Sequence, residues 1–241
     1  MDIYGQRLPD DLYDFDGPVI FLNYDFDFQL PHQYQDLKRA DLVVVNTAYE
    51  HFFLDRIYDC PVSPFPAFKL NFNPLNFSKP SHVKDIDFLH TGLSFTPTMR
   101  EKAQFLFRIA AVDNQELEIR IHHGFMENEE YISHVRRTKF MPIFSRWYGA
   151  IQSRPMDAIC NGSIALHGGE DVAIGLFEYG RLAIRQSSPS NLEDDMNRYL
   201  ATYPEDWKSY TKNHGIISTE LNQIFLEPRE RNTRFLKFCL F

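Results

Sequence analysis

An Asp-x-Asp pair near the start of the chain, Asp25 and Asp27 in NYDFDFQLP, has a spacing that can do chemistry. Two carboxylates so placed can hold a divalent metal ion against the diphosphate of a nucleotide, because hard cations prefer oxygen ligands. A structural interpretation competes with this one, since the pair follows an apolar run and Asp27 can cap the next turn. A near-copy, YDFDG, lies just upstream at residues 13–17. The pair alone therefore leaves both a metal site and the end of a strand open.

Four further loops, each after a predicted strand, contain glycine, histidine or arginine. They comprise residues 90–94 with Arg100, residues 122–124, residues 145–148 with Arg154, and residues 167–170. Glycine lets the backbone approach a phosphate closely, and arginine offers a bidentate, positively charged fork for it. Taken together, the four loops fit a ligand that carries a diphosphate. Taken singly, each glycine can be an ordinary turn residue, and the adjacent His122 and His123 can have a packing role.

Common signatures of cofactor or metal binding are missing from the sequence. It contains no G-x-G-x-x-G fingerprint, no Walker-A spacing and no H-E-x-x-H pattern, which argues against ordinary dinucleotide binding, P-loop hydrolysis and zinc-protease chemistry. Three scattered cysteines, Cys60, Cys160 and Cys239, exclude a disulfide framework and a cysteine-based zinc site. Their small number fits a reducing cytosol.

The overall composition narrows the class of protein. The 241 residues are 44% hydrophobic and 24% charged, which is ordinary for a globular protein that buries a core. A formal net charge of -8 argues against a general nucleic-acid binder, which needs a cationic surface. No apolar run approaches the roughly 20 residues that span a bilayer, and the acidic N-terminus lacks the apolar middle of a secretory signal. These features predict a cytoplasmic protein without a nucleic-acid partner.

The elements that must position these residues alternate in type along the chain. Predicted strands, typical of a sheet covered on both faces, lie at residues 18–22, 41–46, 85–92, 116–124, 139–144 and 163–169. Predicted helices lie at residues 31–40, 47–58, 97–112, 128–137, 153–160, 191–199, 204–225 and 229–241. Five prolines within residues 60–81 predict a linker. The alternation predicts an α/β fold with Rossmann-like parallel sheets, in which ligands bind at the carboxyl ends of the strands.

The stretch SRPMDAICNGSIAL, residues 153–166, resembles the C-terminal domain of GT-B glycosyltransferases. The similarity is greatest to the group-one-like domains related to the spore-maturation protein CgeB, with their pattern R-x-x-E-A-x-A-x-G. Arg154, Asp157, Cys160 and Gly162 occupy four places of that pattern. The resemblance extends to DIDFLHTG followed by an arginine, which matches the opening of the same domain.

The front of the chain resembles the latter part of a GT-B N-terminal domain. The resemblance implies a partial, acceptor-side α/β domain over residues 1–70, a linker over 71–84, a nucleotide-sugar-binding Rossmann-like domain over 85–225, and a C-terminal helix, 226–241, that packs back. The first half or more of the usual N-terminal domain has no counterpart, which leaves room for a partner chain that supplies it. For the tail RERNTRFLKFCLF, peripheral contact with a membrane surface is the alternative to packing back.

The activity that the resemblance implies is transfer of a sugar from a nucleotide diphosphate-sugar donor to a hydroxyl acceptor, in glycan or surface polysaccharide synthesis. The donor is a substrate, and no cofactor or metal is implied, because GT-B enzymes stabilise the leaving diphosphate with helix dipoles and basic side chains. This favours the structural interpretation of Asp25 and Asp27. Asp25 and His32 are the candidates for the base that deprotonates the acceptor. The donor-binding residues implied are Thr91, Gly92, Arg100, His123, Arg146, Arg154, Asp157 and Gly162.

Two departures from the family pattern keep other functions open. The E-x7-E signature of some retaining enzymes is not in register, and Asp157 stands where the family has the glutamate that commonly meets the donor ribose. One alternative is a catalytically inactive or partial GT-B module that acts as a binding or partner subunit. Another is a GT-B-fold sugar-nucleotide epimerase, which needs paired carboxylates and histidines around the sugar.

Overall fold

The computed structural model describes most of the chain in separate segments. They are residues 14–23, 40–45, 48–57, 59–64, 81–94, 100–112, 116–144, 154–168, 184–188 and 190–226. These residues form two compact units, one that ends at residue 64 and one that begins at residue 81. The domain bounds implied by the resemblance run partly outside the described segments and stay predictions.

The first unit is a small parallel sheet with one helix. Its elements are β1 (Ile20–Asn23), β2 (Leu42–Val45), α1 (Ala48–Leu54) and β3 (Val62–Pro64). The strands are parallel and lie in the order β1-β2-β3. Phe21, Val43 and Val45 are buried and pack with Leu54 of the helix. The apolar runs that predict strands at residues 18–22 and 41–46 therefore form the sheet on which this helix packs.

The short strand β3 lies inside the proline-rich stretch that predicts a linker from residue 60. Proline removes a backbone donor, which is tolerated at the edge of a sheet because one side of an edge strand needs no ladder bond. β3 is an edge strand, and the carbonyl of Pro61 still accepts the N–H of Val43, with an N–O distance of 3.0 Å. The structure thus differs from the predicted linker over these three residues.

The second unit is a five-stranded parallel sheet with helices on both faces. Its elements are β4 (Ile86–Gly92), α2 (Arg100–Ala110), β5 (Ile119–His123), α3 (Asn128–Arg137), β6 (Thr138–Phe144), α4 (Arg154–Cys160), β7 (Ile164–Gly168), β8 (Ile184–Ser187) and α5 (Leu192–Leu226). The strand order is β5-β4-β6-β7-β8. The Rossmann-like α/β architecture and the helical C-terminal part predicted from the sequence are confirmed. β8, which sequence alternation did not predict, adds a mixed polar and apolar strand at one edge.

Two apolar clusters cover the two faces of this sheet. On one face, Leu89, Met141 and Ala165 belong to the cluster that contains side chains of α3 and α4. On the other face, Phe88 and Phe140 belong to the cluster that contains side chains of α2 and the start of α5. Because successive residues of a strand point to opposite faces, strands covered on both faces need unbroken apolar runs. This is why IDFLHTG and TKFMPIF are buried along almost their whole length.

The long helix α5 differs from the two helices predicted on either side of Pro204. Proline removes one intrahelical hydrogen bond and normally breaks or kinks a helix. Here the neighbouring turns are held by packing, since Tyr203 and Tyr210 are buried and the Tyr210 hydroxyl donates to the Ile159 carbonyl at 2.6 Å. Tertiary contacts on both sides of Pro204 therefore keep the helix continuous. Among the described helices, none is both long and apolar enough to cross a membrane.

The strand order creates a topological switch point between β4 and β6. The chain leaves β4 toward β5 on one side, then crosses back to β6 on the other side and continues outward to β7 and β8. In open α/β sheets, ligands bind in the crevice outside the carboxyl ends of the strands at such a point. By that rule, a ligand site is expected at the carboxyl ends of β4 and β6.

Candidate functional site

Two glycines form the rim of the sheet at the carboxyl ends of β4 and β5. Gly92 has φ 91° and Gly124 has φ 100°, in the left-handed region that residues with a Cβ rarely adopt. The Gly124 N–H donates to the Gly92 carbonyl at 3.2 Å, and the Ser94 N–H donates to Nδ1 of His123, also at 3.2 Å. Of the predicted donor-binding residues, Gly92 and His123 therefore come together on adjacent strands. Thr91 is buried beside them in β4.

The Arg154 guanidinium lies over Gly92. A Cβ added to Gly92 would stand 3.1 Å from Cζ of Arg154 and still closer to one of its terminal nitrogens. The missing side chain at position 92 is thus what makes room for the guanidinium at the end of β4. The sequence predicted Gly92 and Arg154 separately, and the structure brings them into direct contact.

Lys102 supplies a second cation at the same turn, and the sequence analysis missed it. Lys102 lies in the first turn of α2, where it is 6% exposed, and its ammonium donates to the Leu93 carbonyl just after β4. Lysine is rarely so buried unless it is paired or near a compensating group. The available signal was its position: Lys102 falls among the core-facing residues Ala103, Phe105 and Leu106, whereas the predicted Arg100 is exposed.

Asp157 forms a hydrogen-bonded pair with Tyr131. The tyrosine hydroxyl donates to Oδ2 of Asp157 at 3.0 Å, which links α3 to α4. Burial raises the pKa of Asp157 to about 6, while the Tyr131 hydrogen bond and the Arg154 charge act in the opposite direction. Burial, followed by the Asp157 charge, raises the pKa of Tyr131 well above its usual value. Asp157 is therefore a partly buried carboxylate that titrates close to neutrality, within the electrostatic reach of Arg154.

The two cations also act on His90, two residues before Gly92. Burial comes first, then the charges of Arg154 and Lys102, and together they lower the pKa of His90 to about 3. The backbone groups of Pro142 and Leu93 oppose this shift by a smaller amount. The turn after β4 thus brings two cationic side chains close to one buried imidazole, in a chain whose net charge is -8.

Not all of the predicted residues belong to this cluster. Gly162 lies at the amino ends of the strands, on the side of the sheet away from Gly92. It is in the turn before β7, its φ is 78°, and its carbonyl accepts a hydrogen bond from Lys84. Arg100 is exposed at the first residue of α2. Asp25, His32 and Arg146 lie outside the described residues. Within the described segments, no group of three or more His, Cys, Asp or Glu side chains is placed to hold a metal ion.

Solved structures with the same fold are glycosyltransferases. An alpha-glucosyltransferase in complex with UDP-glucose and DNA containing an abasic site is similar with a TM-score of 0.58 and 11% identity, over 93% of this chain and 72% of that one. HepE from Anabaena in complex with UDP and glucose gives a TM-score of 0.54 and 12% identity, over 91% and 71%. Sucrose-phosphate synthase from Thermosynechococcus elongatus gives 0.50 and 12%, over 88% of this chain and 62% of the synthase.

These comparisons establish the fold, whereas the chemistry has to be inferred from the residues of the site. The parallel α/β architecture is that of the GT-B glycosyltransferases, as the motifs around Arg154 predicted. This chain spans less than two thirds of the synthase. No protein-family model matches the sequence, and no curated protein is significantly similar to it.

Proposed function

We propose that the protein is a glycosyltransferase that moves a sugar from a nucleotide diphosphate-sugar donor to a hydroxyl acceptor. The observation that carries this proposal is the pair of cations, Arg154 and Lys102, at the glycine turn that ends β4. This turn lies at the topological switch point, where ligands of open α/β sheets bind. The neighbours in complex with UDP-glucose, or with UDP and glucose, have the same fold and support the choice of donor class.

The proposed chemistry follows from how charge moves during sugar transfer. As the bond from the sugar to the diphosphate breaks, negative charge develops on the leaving phosphate oxygens. A guanidinium and an ammonium fixed in advance near those oxygens stabilise the charge without reorganisation at the moment of reaction. Asp157, whose pKa is raised by burial and lowered in part by the nearby Arg154 charge, is the proposed contact for a ribose hydroxyl. Asp25 and His32 stay proposals for the base that deprotonates the acceptor.

Isothermal titration with UDP and UDP-glucose tests the donor site. We expect the wild type to bind both ligands and Arg154→Ala to lose about tenfold or more in affinity, because charge-assisted hydrogen bonds to phosphate are among the strong ones. Gly92→Ala should weaken binding as well, since the added methyl group displaces the guanidinium. Arg120→Ala is the matched control, because Arg120 is ion-paired with Glu118 at the surface.

The results separate the proposal from its main alternative. Undiminished binding by Arg154→Ala, or no binding by the wild type, contradicts the donor site. Release of nucleotide from the sugar donor by the wild type supports an enzyme, with Asp25→Asn or His32→Gln expected to slow transfer while leaving donor affinity unchanged. Tight binding without any turnover instead favours a catalytically inactive GT-B module that acts as a binding subunit.

A further inference from the structure

His90 is a buried histidine beneath the candidate donor site. It lies in β4 and is 2% exposed. Side chains two residues apart in a strand share a face, so His90 lies on the same side as Phe88, which packs in the cluster with α2. Lys102, also on α2, and Arg154 both act on it electrostatically. The imidazole therefore lies within the charged cluster of the site and contributes a polar group where Phe88 contributes hydrocarbon.

Pro142 interrupts the sheet opposite this histidine. The pairing of β4 with β6 runs through Ile86 with Thr138 and Phe88 with Phe140. The next position in that register places His90 opposite Pro142, which has no N–H to donate. The Pro142 carbonyl is still available as an acceptor. Nδ1 of His90 lies 3.2 Å from its oxygen, so the histidine side chain hydrogen-bonds this carbonyl. A proline is unusual in a central strand, and here it stands at the switch point, where the sheet opens to a ligand.

This contact fixes which nitrogen of His90 carries the hydrogen. A carbonyl oxygen can only accept, so Nδ1 must donate and Nε2 must present its lone pair. The ring stays neutral, because burial and the two nearby cations disfavour a second proton. The Leu93 carbonyl lies near the ring but already accepts from the Lys102 ammonium, and Nε2, which is buried, makes no hydrogen bond of ordinary geometry among the described residues. An unsatisfied buried acceptor costs free energy, so its persistence at a ligand site points to a partner that arrives with the ligand.

We propose that Nε2 of His90 accepts a hydrogen bond from a hydroxyl group of the bound nucleotide-sugar. This inference rests on the proposed function and assigns a part of the donor to His90, which lies in the first of the four candidate loops but is not among the donor-binding residues that the resemblance implies. Ionised phosphate oxygens are acceptors and cannot pair with a lone pair, whereas they suit Arg154 and Lys102. Hydroxyl groups of the ribose or of the transferred sugar supply the donor that Nε2 needs. His90 thereby distinguishes the hydroxyl-bearing part of the ligand from its phosphates.

A heteronuclear NMR spectrum of the histidine ring nitrogens tests this directly in the full chain. His90→Gln assigns the two His90 resonances by their loss. On addition of UDP-glucose to the wild type, we expect the Nε2 resonance to move toward the value of a hydrogen-bonded acceptor, while Nδ1 keeps the value of a protonated nitrogen. Dideoxyuridine diphosphate, which lacks both ribose hydroxyls, should leave Nε2 unchanged. A shift with UDP itself assigns the ribose, and a shift with UDP-glucose alone assigns the sugar.

Binding constants give a second readout. His90→Phe keeps a ring but removes the acceptor, and we expect it to weaken the hydroxyl-bearing ligand that shifts Nε2 by about two- to tenfold. Its affinity for dideoxyuridine diphosphate should equal that of the wild type. His134→Gln is the control, because the His134 ring contacts the Glu130 carbonyl on the exposed side of α3. Should His90→Phe fail to fold, the NMR comparison of the three ligands in the wild type decides alone.

The outcomes separate this inference from the function on which it rests. Absence of binding to the wild type contradicts the proposed function and, with it, the role of His90. Binding of UDP-glucose with both His90 nitrogens unchanged contradicts only the role of His90. Movement of both nitrogens to the values of a protonated imidazolium also overturns it, since the ring would then donate to a phosphate.

Discussion

Asp157 combines a cost in stability with a position at the proposed donor site. Its carboxylate is partly buried beside Tyr131, and burial raises its pKa from 3.8 to about 6. A carboxyl group with a raised pKa in the folded state contributes stability that is present below its unfolded pKa and lost as the pH rises through its folded pKa. Above pH 6 the protein therefore holds an ionised carboxylate at a cost, which is common at functional sites.

Replacing this carboxylate should stabilise the protein at neutral pH while weakening the donor site. Asp157→Asn keeps an oxygen that accepts from Tyr131 but removes the buried charge. We expect its free energy of unfolding to exceed that of the wild type by at most about 3 kcal/mol at neutral pH, and the difference to vanish near pH 4. Urea unfolding at the two pH values measures this, with Asp55→Asn in the first unit as the exposed control. A destabilised Asp157→Asn at neutral pH would show that the ionised form is the favoured one.

The motif that contains Asp157 also shows why residue roles cannot simply be carried over from a family pattern. The sequence pattern places Arg154, Asp157 and Gly162 within one short segment. In the structure, α4 carries the chain away from the carboxyl edge of the sheet, so that Gly162 turns at the opposite edge. Proximity in a motif therefore did not mean proximity in a site.

At the scale of elements, Lys84 connects α3, β6 and the turn before β7, which meet at the amino ends of the strands of the second sheet. Its ammonium donates to the carbonyls of Arg136, Thr138 and Gly162 at 2.7, 3.1 and 2.5 Å, and it lies 4.6 Å from the centre of the Trp207 ring. The last carbonyls of a helix have no intrahelical partner, and a lysine near the end of α3 satisfies one of them. Burial lowers the pKa of Lys84 to about 7, so the carbonyls and the ring face must offset a cost of desolvation.

Removing this ammonium should destabilise the second unit more than any loss of surface charge. Lys84→Met retains most of the side-chain volume but leaves the Arg136 and Gly162 carbonyls without this donor, whereas the Thr138 carbonyl keeps the Ser163 hydroxyl. We expect a loss of about 2–3 kcal/mol in the free energy of unfolding, because unsatisfied buried acceptors cost about 1–3 kcal/mol. Lys208→Met, on the exposed side of α5, is the control and should change little. Equal stability of the two variants would mean that water replaces the ammonium at no cost.

For the whole molecule, charge and fold together set how the donor is expected to bind. The chain carries a formal net charge of -8, yet two cations converge at one turn of the second sheet. Salt screens exposed charges more than buried ones, and Lys102 is buried while Arg154 is partly buried. A donor site built this way needs no metal ion to neutralise the diphosphate, which stays a proposal for this protein.

Removal of metal ions and a change of ionic strength test that proposal together. We expect UDP-glucose affinity and turnover to be unchanged by excess EDTA, because basic side chains carry out the neutralisation. Raising the salt concentration from about 0.05 M to about 0.5 M should weaken binding several-fold, as for any site that attracts a polyanion. If EDTA abolishes binding and a divalent cation restores it, the result instead supports a metal site such as Asp25 and Asp27.

The sequence by itself determined where most strands and helices lie, because the spacing of apolar residues and the positions of glycine and proline are local properties. Thus residues 85–92 and 139–144 predicted β4 and β6, and residues 128–137 predicted α3. The motif around Arg154 predicted the GT-B fold, which the solved neighbours confirm.

Only the tertiary structure decided which of these residues share a site. Strand order and direction place Gly92 and Gly162 at opposite edges of one sheet, and neither property is encoded in local spacing. The rotation of α2 turns Lys102 inward and Arg100 outward, although both are basic residues of the same turn. The hydrogen bond of His90 to Pro142 joins residues 52 positions apart in the chain. Such contacts depend on how distant segments pack, so no pattern within a single segment could predict them.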